Sequence, residues 1–472
     1  MGTYKNRYYV NEAYYSPGGP VFLLDAGESV TEAMTGLFLY NSTSFYGHLL
    51  QEFHGMGVLW EHRYYGDSVP FGTYSTDPDP EQMKYLTTDQ ALADIPYFAQ
   101  SFTRDHFREI DLTSHNTPWV MMGRSYPGMR AALARQTYPD TIFAAYVSSA
   151  PVEARIDASA YFNQVWRALV AKGFENCARD TQAAMQYIDE QLAGTRTAAS
   201  IKQKILGPGA EANSNGDIAY VLSTPYLALQ ESGTDGQLGD LCTYLETDPH
   251  TNHTAGPHGL ASTLGQQYVA ERLASWPGFV ASANAIRTTN CSHGPGPSSC
   301  DLSQPYTDPM ALSWLWQTCT EWGYFLAHNA GPLSLVSQYL TVEYQQDLCS
   351  RNFPTARKTG RLPVHPPADA FNARHGGWHM RPANTYWTVG EWDPWRALSV
   401  FSTEAFAPDK VHLSSEVPEC GVETGPDEVF GFVLQNQQHG DDIGPVDNEQ
   451  TRIAHDQFTR ALRQWLPCFG HS

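Results

Sequence analysis

The sequence is poor in cations, in long apolar runs and in closely spaced cysteines, and each shortage removes a class of function. Twenty-nine Lys and Arg stand against fifty Asp and Glu, a net charge of −21. The chain therefore lacks the basic face that a nucleic-acid partner requires. No run of 18 apolar residues occurs, so neither a membrane span nor a membrane partner is expected. None of the eight cysteines stands in a C-x-x-C spacing, which argues against a zinc ribbon or a dithiol redox motif. No metal and no cofactor is expected. Long charge runs, internal repeats and low-complexity tracts are also missing, and 42% apolar with 17% charged residues reads as a folded globular chain.

What is present fits an oxidising compartment. With 472 residues the chain can hold two domains, or one with a large insertion. Its even set of cysteines (177, 242, 291, 300, 319, 349, 420 and 468) suits disulfides. We expect no free thiol and one specific bridge, Cys420 with Cys468. Sequons at Asn41, Asn252 and Asn290 are candidate glycosylation sites in a secreted or extracellular protein, with a lysosomal or vacuolar setting as the alternative. The Met1-Gly2 opening has no apolar signal segment; it is expected to be a mature or engineered start and is no evidence for the cytosol. Strong acidity with few lysines suits a protein that stays soluble at low pH, where carboxylates are neutralised.

The chain is organised around Trp119–Met129. Four apolar residues, Trp119 to Met122, read as a buried strand; Gly123-Arg124-Ser125 is a turn; Met129 onwards is helical. Strand, sharp turn with serine at its apex, then helix is the setting of a nucleophile elbow. There the next backbone N–H, that of Tyr126, faces a developing oxyanion. The plainer reading is an ordinary strand-to-helix turn capped by serine.

Other short apolar strands are expected at Val21–Leu24, Val58–Glu61, Ile142–Val147, Thr385–Val389 and Val429–Leu434, alternating with helices. This pattern means a mostly parallel sheet covered on both faces. Loops leaving the carboxyl ends of such strands line the site. That puts Glu28 (after Val21–Leu24) and Tyr65 (in His62–Ser68) among the expected substrate contacts. Residues 155–375 change to helical periodicity and hold six of the cysteines. The expected organisation is an α/β-hydrolase domain over 1–154 and 376–472, interrupted by a disulfide-stapled helical cap.

Ser125, Asp393 and His439 meet the chain order Ser, Asp, His, each after an apolar run. The carboxylate would hold the imidazole in one tautomer. The imidazole would take the serine proton and return it to the leaving amine. Rivals for these roles are Asp25, Asp67, His62 and His455.

The blocks His62–Ser68, Leu86–Asp94, Ser125-Tyr126, Ser148–Val152, Gln317–Glu321 and Asp393-Pro394-Trp395 resemble the serine carboxypeptidase S28 family, nearly end to end and in order. The resemblance looks closest to the fungal prolyl endopeptidase branch. It implies an α/β-hydrolase with a helical cap that cuts proline-containing peptides or proteins after proline, at acid pH, as a monomer or homodimer. It also implies the triad Ser125, Asp393 and His439, with Met129 and Trp395, and less directly Tyr324, lining a proline pocket. The chain departs from the family pattern at Arg124, at Pro127 and at the glycine after His439. Two other classes stay open: an esterase or lipase on the same fold, and a catalytically impaired peptide-binding relative.

Overall fold

The computed structural model describes residues 2–294, 299–408 and 411–470. Its strands are β1 (Tyr8–Asn11), β2 (Val21–Asp25), β3 (Met56–Trp60), β4 (Trp119–Arg124), β5 (Ala144–Ser148), β6 (Arg155–Asp157), β7 (Gly323–Phe325), β8 (Thr385–Gly390), β9 (His412–Ser414) and β10 (Glu428–Leu434). Eight of them form one sheet in the order β1-β3-β2-β4-β5-β8-β10-β9. β1 runs antiparallel to β3, and every other pair in the sheet is parallel.

The central strands are apolar because helices cover both faces. Their side chains alternate between two cores. Val21, Leu23, Trp119 and Met121 join the helices Thr88–Ala99 and Tyr126–Thr137 on one side. Phe22, Leu24, Val120 and Met122 join the helices Phe45–Glu52 and Glu449–Trp465 on the other. The terminal helix buries Ala454, Phe458, Ala461, Leu462 and Trp465. Ile453 of the same helix is only partly buried.

A third core draws on residues between Tyr161 and Leu348. The expected helical texture holds there, with one addition: β6 and β7 pair in parallel as a separate two-stranded sheet. Bridges Cys177–Cys242, Cys291–Cys300 and Cys319–Cys349 staple this region, Cys420–Cys468 ties the terminal helix, and no cysteine is free. A mostly parallel sheet, a serine turn after a central strand and a disulfide-stapled helical insertion between β5 and β8 make an α/β-hydrolase fold with a cap. No helix among the described residues is long and apolar enough to cross a membrane.

The topology decides where the chemistry can sit. Ser125 follows β4, Asp393 follows β8 and His439 follows β10, three parallel strands that end on one edge.

Candidate active site

Ser125 has φ 64° and ψ −132°, a left-handed conformation that a serine holds only when its surroundings impose it. The imposing contacts are visible. A side chain at Gly123 would lie 2.3 Å from the Pro127 carbonyl, and one at Gly27 would lie 2.2 Å from Pro127 Cγ. The Ser125 N–H donates to the Ser148 carbonyl at 2.8 Å. Pro127 falls in the first turn of the helix, where its missing N–H costs nothing. Tyr126 opens that helix, so its backbone N–H stands at the turn as expected.

Asp393 and His439 meet. Both side chains are buried, and His439 Nδ1 lies 2.9 Å from Asp393 Oδ1. The same oxygen accepts the Trp395 N–H at 2.8 Å. With Nδ1 donating to the carboxylate, Nε2 is the basic nitrogen, and it is buried with no hydrogen-bond partner. Burial alone would push the imidazole pKa down. The charge and hydrogen bond of Asp393 outweigh it, so the pKa is raised, with Glu231 adding and Arg124 opposing.

The loop carrying His439 is anchored by a carboxylate that sequence reasoning did not single out. Asp442 accepts from Tyr146, Ser148 and Thr388 hydroxyls at 2.5, 2.6 and 2.6 Å. The Gly440 N–H also donates to Ser149 Oγ at 2.8 Å. No spacing in the sequence announces this anchor, because its donors come from β5 and β8.

The rivals are occupied elsewhere. Asp25 forms a buried ion pair with Arg130 on the elbow helix at 2.8 Å. Asp67 pairs with Arg7 near the surface. His455 stacks on Phe45 at 3.7 Å and bonds the Asp442 carbonyl. His62 is architectural: its Nδ1 donates to the Arg63 carbonyl, so its Nε2 accepts from the Tyr126 hydroxyl at 2.8 Å.

Two expected substrate contacts need correction. Tyr65 is fully buried and donates to Gln317 Oε1 at 2.6 Å, so it braces the cap and presents no surface to a substrate. Met129 is also fully buried, with its sulfur 3.8 Å from the Tyr324 hydroxyl. It packs against Tyr324 inside the core and presents no surface to a substrate. Trp395 and Tyr324 behave differently. Trp395 is partly exposed, packs edge-on against Tyr161 and Tyr324 with centroids 5.4 Å apart in each case, and donates its indole N–H to Gln230 of the cap. Tyr324 is itself buried but lines a cavity of about 480 Å³ with Trp314, Leu227 and Tyr306 of the cap; Trp395 and the three candidate catalytic residues do not line it.

Glu28 leaves the end of β2 beside the elbow. The residue is partly exposed, yet its Oε2 is buried and unpartnered. Desolvation pushes its carboxyl up to about 7, against its own backbone N–H and the His439 and Arg124 charges. Of the sequon asparagines, Asn252 and Asn290 are exposed and Asn41 is half-buried.

The serine carboxypeptidase S28 family model matches residues 1–411. The chain belongs to the S28 family. Ser125 and Asp393 lie inside the matched span and His439 beyond it. This S28 chain is 26% identical over 430 residues to the serine protease vicPb of Bipolaris victoriae, covering 87% of this chain and 77% of that one. It is 25% identical to a probable extracellular serine carboxypeptidase of Arthroderma benhamiae, covering 84% of this chain but 56% of the relative, little more than half its length. It is 25% identical to the human thymus-specific serine protease, covering 98% and 83%. Solved structures similar to this S28 chain include the acetyl esterase MekB, with TM-score 0.40, 10% identity and coverage of 97% and 90%.

Proposed function

We propose that this S28 chain is a secreted serine peptidase that cleaves on the carboxyl side of proline, with Ser125 as nucleophile, His439 as general base and acid, and Asp393 as its orienting carboxylate. The observation that carries the reading is the buried Asp393–His439 pair, whose free Nε2 belongs to the same sheet edge as the strained Ser125 elbow. In this scheme His439 Nε2 takes the Ser125 Oγ proton as the oxygen attacks the scissile carbonyl. The collapse of the tetrahedral adduct expels the amine, to which Nε2 returns the proton. Water then repeats the sequence on the acyl-enzyme. The backbone N–H of Tyr126 faces the oxyanion from the helix start, where the positive end of the helix dipole adds to it.

Proline selectivity rests on Trp395. The indole is held in place by the Asp393 turn, by Gln230 and by two tyrosine edges. A rigid flat wall suits a pyrrolidine ring, which has little conformational freedom to lose. The four disulfides and the extracellular relative support secretion.

An upper pH limit on activity follows from Glu28. An ionised carboxylate beside the elbow would repel the developing oxyanion, a penalty that the protonated acid does not impose. With its pKa near 7, Glu28 is largely neutral at pH 5. His439 works in the other direction, since its raised pKa removes the neutral base as the pH falls. The two together describe a narrow bell-shaped profile with its maximum near neutrality, its alkaline limb set by Glu28 and its acid limb by His439. Cleavage of acyl-Ala-Pro-p-nitroanilide against its Ala-Ala counterpart, and against p-nitrophenyl esters, tests the assignment. Strong preference for the proline anilide is expected; faster turnover of esters with no proline preference would favour an esterase.

A further inference from the structure

Arg124 stands immediately before the nucleophile and is not used by the scheme above. Its stem lies over the turn that follows His439: a side chain at Gly440 would meet Arg124 Cδ at 2.8 Å and Cβ at 3.3 Å. Its guanidinium reaches across to the cap helix Leu229–Ser232, where Nη2 lies 3.3 Å from Glu231 Oε2. The side chains are 37% and 57% exposed, so this is a weak, solvated ion pair. A stronger carboxylate partner can displace it.

The position assigns Arg124 to one side of the scissile bond. His439 hands its proton to the departing amine, so the residue beyond the scissile bond seats against the His439–Gly440 turn. In the proposed scheme Trp395 takes the acyl side. We propose that Arg124 is a specificity-determining anchor for a carboxylate on the leaving-group residue. Guanidinium is the side chain best matched to a carboxylate, through two parallel N–H donors. The carboxylate has two possible sources, the α-carboxylate of a substrate's last residue and the side chain of an Asp or Glu. The inference rests on the reading that Ser125 and His439 act on a peptide bond, because that reading defines the leaving side.

The surrounding charges fit this role. The groups facing Arg124 are His439, Glu28, Asp441 and Glu231. Burial raises the carboxyl pKa of both Glu28 and Asp441. In weakly acid solution Glu28, whose carboxyl is pushed up to about 7, loses its charge, while a peptide α-carboxyl, with pKa about 3.5, stays ionised. Glu231 is the carboxylate in direct contact with Arg124 that a substrate would have to displace.

Binding to the Ser125→Ala protein tests the anchor without turnover. Four peptides at pH 5 serve as probes in calorimetry: acetyl-Ala-Pro-Phe as free acid and as amide, and acetyl-Ala-Pro-Asp-amide with acetyl-Ala-Pro-Asn-amide. A charge-assisted contact predicts at least about tenfold tighter binding within one of the pairs. Preference in the Phe pair identifies the α-carboxylate, and preference in the Asp–Asn pair identifies the side chain. Adding Arg124→Gln should bring the favoured pair to within about twofold. Glu231→Gln, which leaves Arg124 in place without its cap partner, should widen the preference. Equal binding within both pairs, no binding of any probe, or a preference that survives Arg124→Gln overturns the proposal. Fluorophosphonate labelling of the wild-type protein reports separately on the catalytic reading. A labelled enzyme without carboxylate preference loses only the anchor, and an unlabelled protein that keeps the preference loses only the catalysis.

Discussion

The Tyr126 hydroxyl lies 2.8 Å from His62 Nε2 and 2.9 Å from Gln317 Nε2, so one buried phenol joins the loop after β3 to the cap. The donor order is set throughout. Tyr65 donates to Gln317, Gln317 to Tyr126, Tyr126 to His62, and His62 to the Arg63 carbonyl. The residue proposed to offer its backbone N–H to the oxyanion is therefore held by its own side chain.

Removing that phenol should be felt in stability first. Tyr126→Phe leaves His62 Nε2 and a Gln317 N–H without partners in a buried site, a cost of about 1–3 kcal/mol. We expect a lower urea midpoint at unchanged slope, with Ser125 still reactive towards an active-site probe. An unchanged midpoint would show that the network does not hold the elbow.

Trp395 carries the selectivity prediction. Trp395→Ala should lower kcat/KM for proline substrates by about 2–3 kcal/mol, the scale of losing an aromatic wall, with a much smaller loss for alanine substrates. The comparison must be made on folded protein, because Trp395 also contacts both the cap core and the sheet core. Equal losses for the two substrates, accompanied by a fall in Tm, would make Trp395 a core residue and no more.

Glu321 gives the fold a pH dependence of definite sign. The carboxyl accepts from the Thr88 N–H and hydroxyl at 2.8 and 2.9 Å, and burial pushes it up to about 7 in spite of both bonds. Between the unfolded carboxyl value, about 4.3, and 7 the folded state holds one proton more than the unfolded state. Stability is fully present below that window and falls as pH rises through it, by no more than about 4 kcal/mol from this group. Glu28 and Glu246, both raised by burial, act in the same direction. Urea unfolding at pH 5 and pH 8 checks it: Glu321→Gln should reduce the difference between the two, and an undiminished difference would remove Glu321 as a source.

The parts of this site that can be read from sequence are those that local pattern dictates. Ser125, Asp393 and His439 each follow an apolar run that must be a buried strand, and parallel strands bring their carboxyl ends to one edge. Side-chain direction is not local. Tyr65 and Met129 sit in segments that reach the site, yet both turn into the core, because Gln317 lies 252 residues from Tyr65 and Tyr324 lies 195 from Met129. Asp442 escapes sequence reasoning for the same reason: its three hydroxyl donors are 54, 294 and 296 residues away. The state of Glu28 depends on how completely one oxygen is desolvated, which no motif encodes. Pro127 looks disruptive in the sequence and is instead a packing element, since it fills the space left by Gly27.

The central claim is that Ser125 is the nucleophile, activated by His439. It is tested most directly by identifying the residue that a fluorophosphonate modifies in the intact protein, by peptide mass spectrometry, in the wild type and in Ser125→Ala and His439→Ala. The prediction is one adduct, on Ser125, lost in the first variant and strongly slowed in the second. Peptidase kcat should fall by about 10⁴–10⁶-fold in both. An adduct on another residue, or labelling that persists undiminished in Ser125→Ala, would contradict the account.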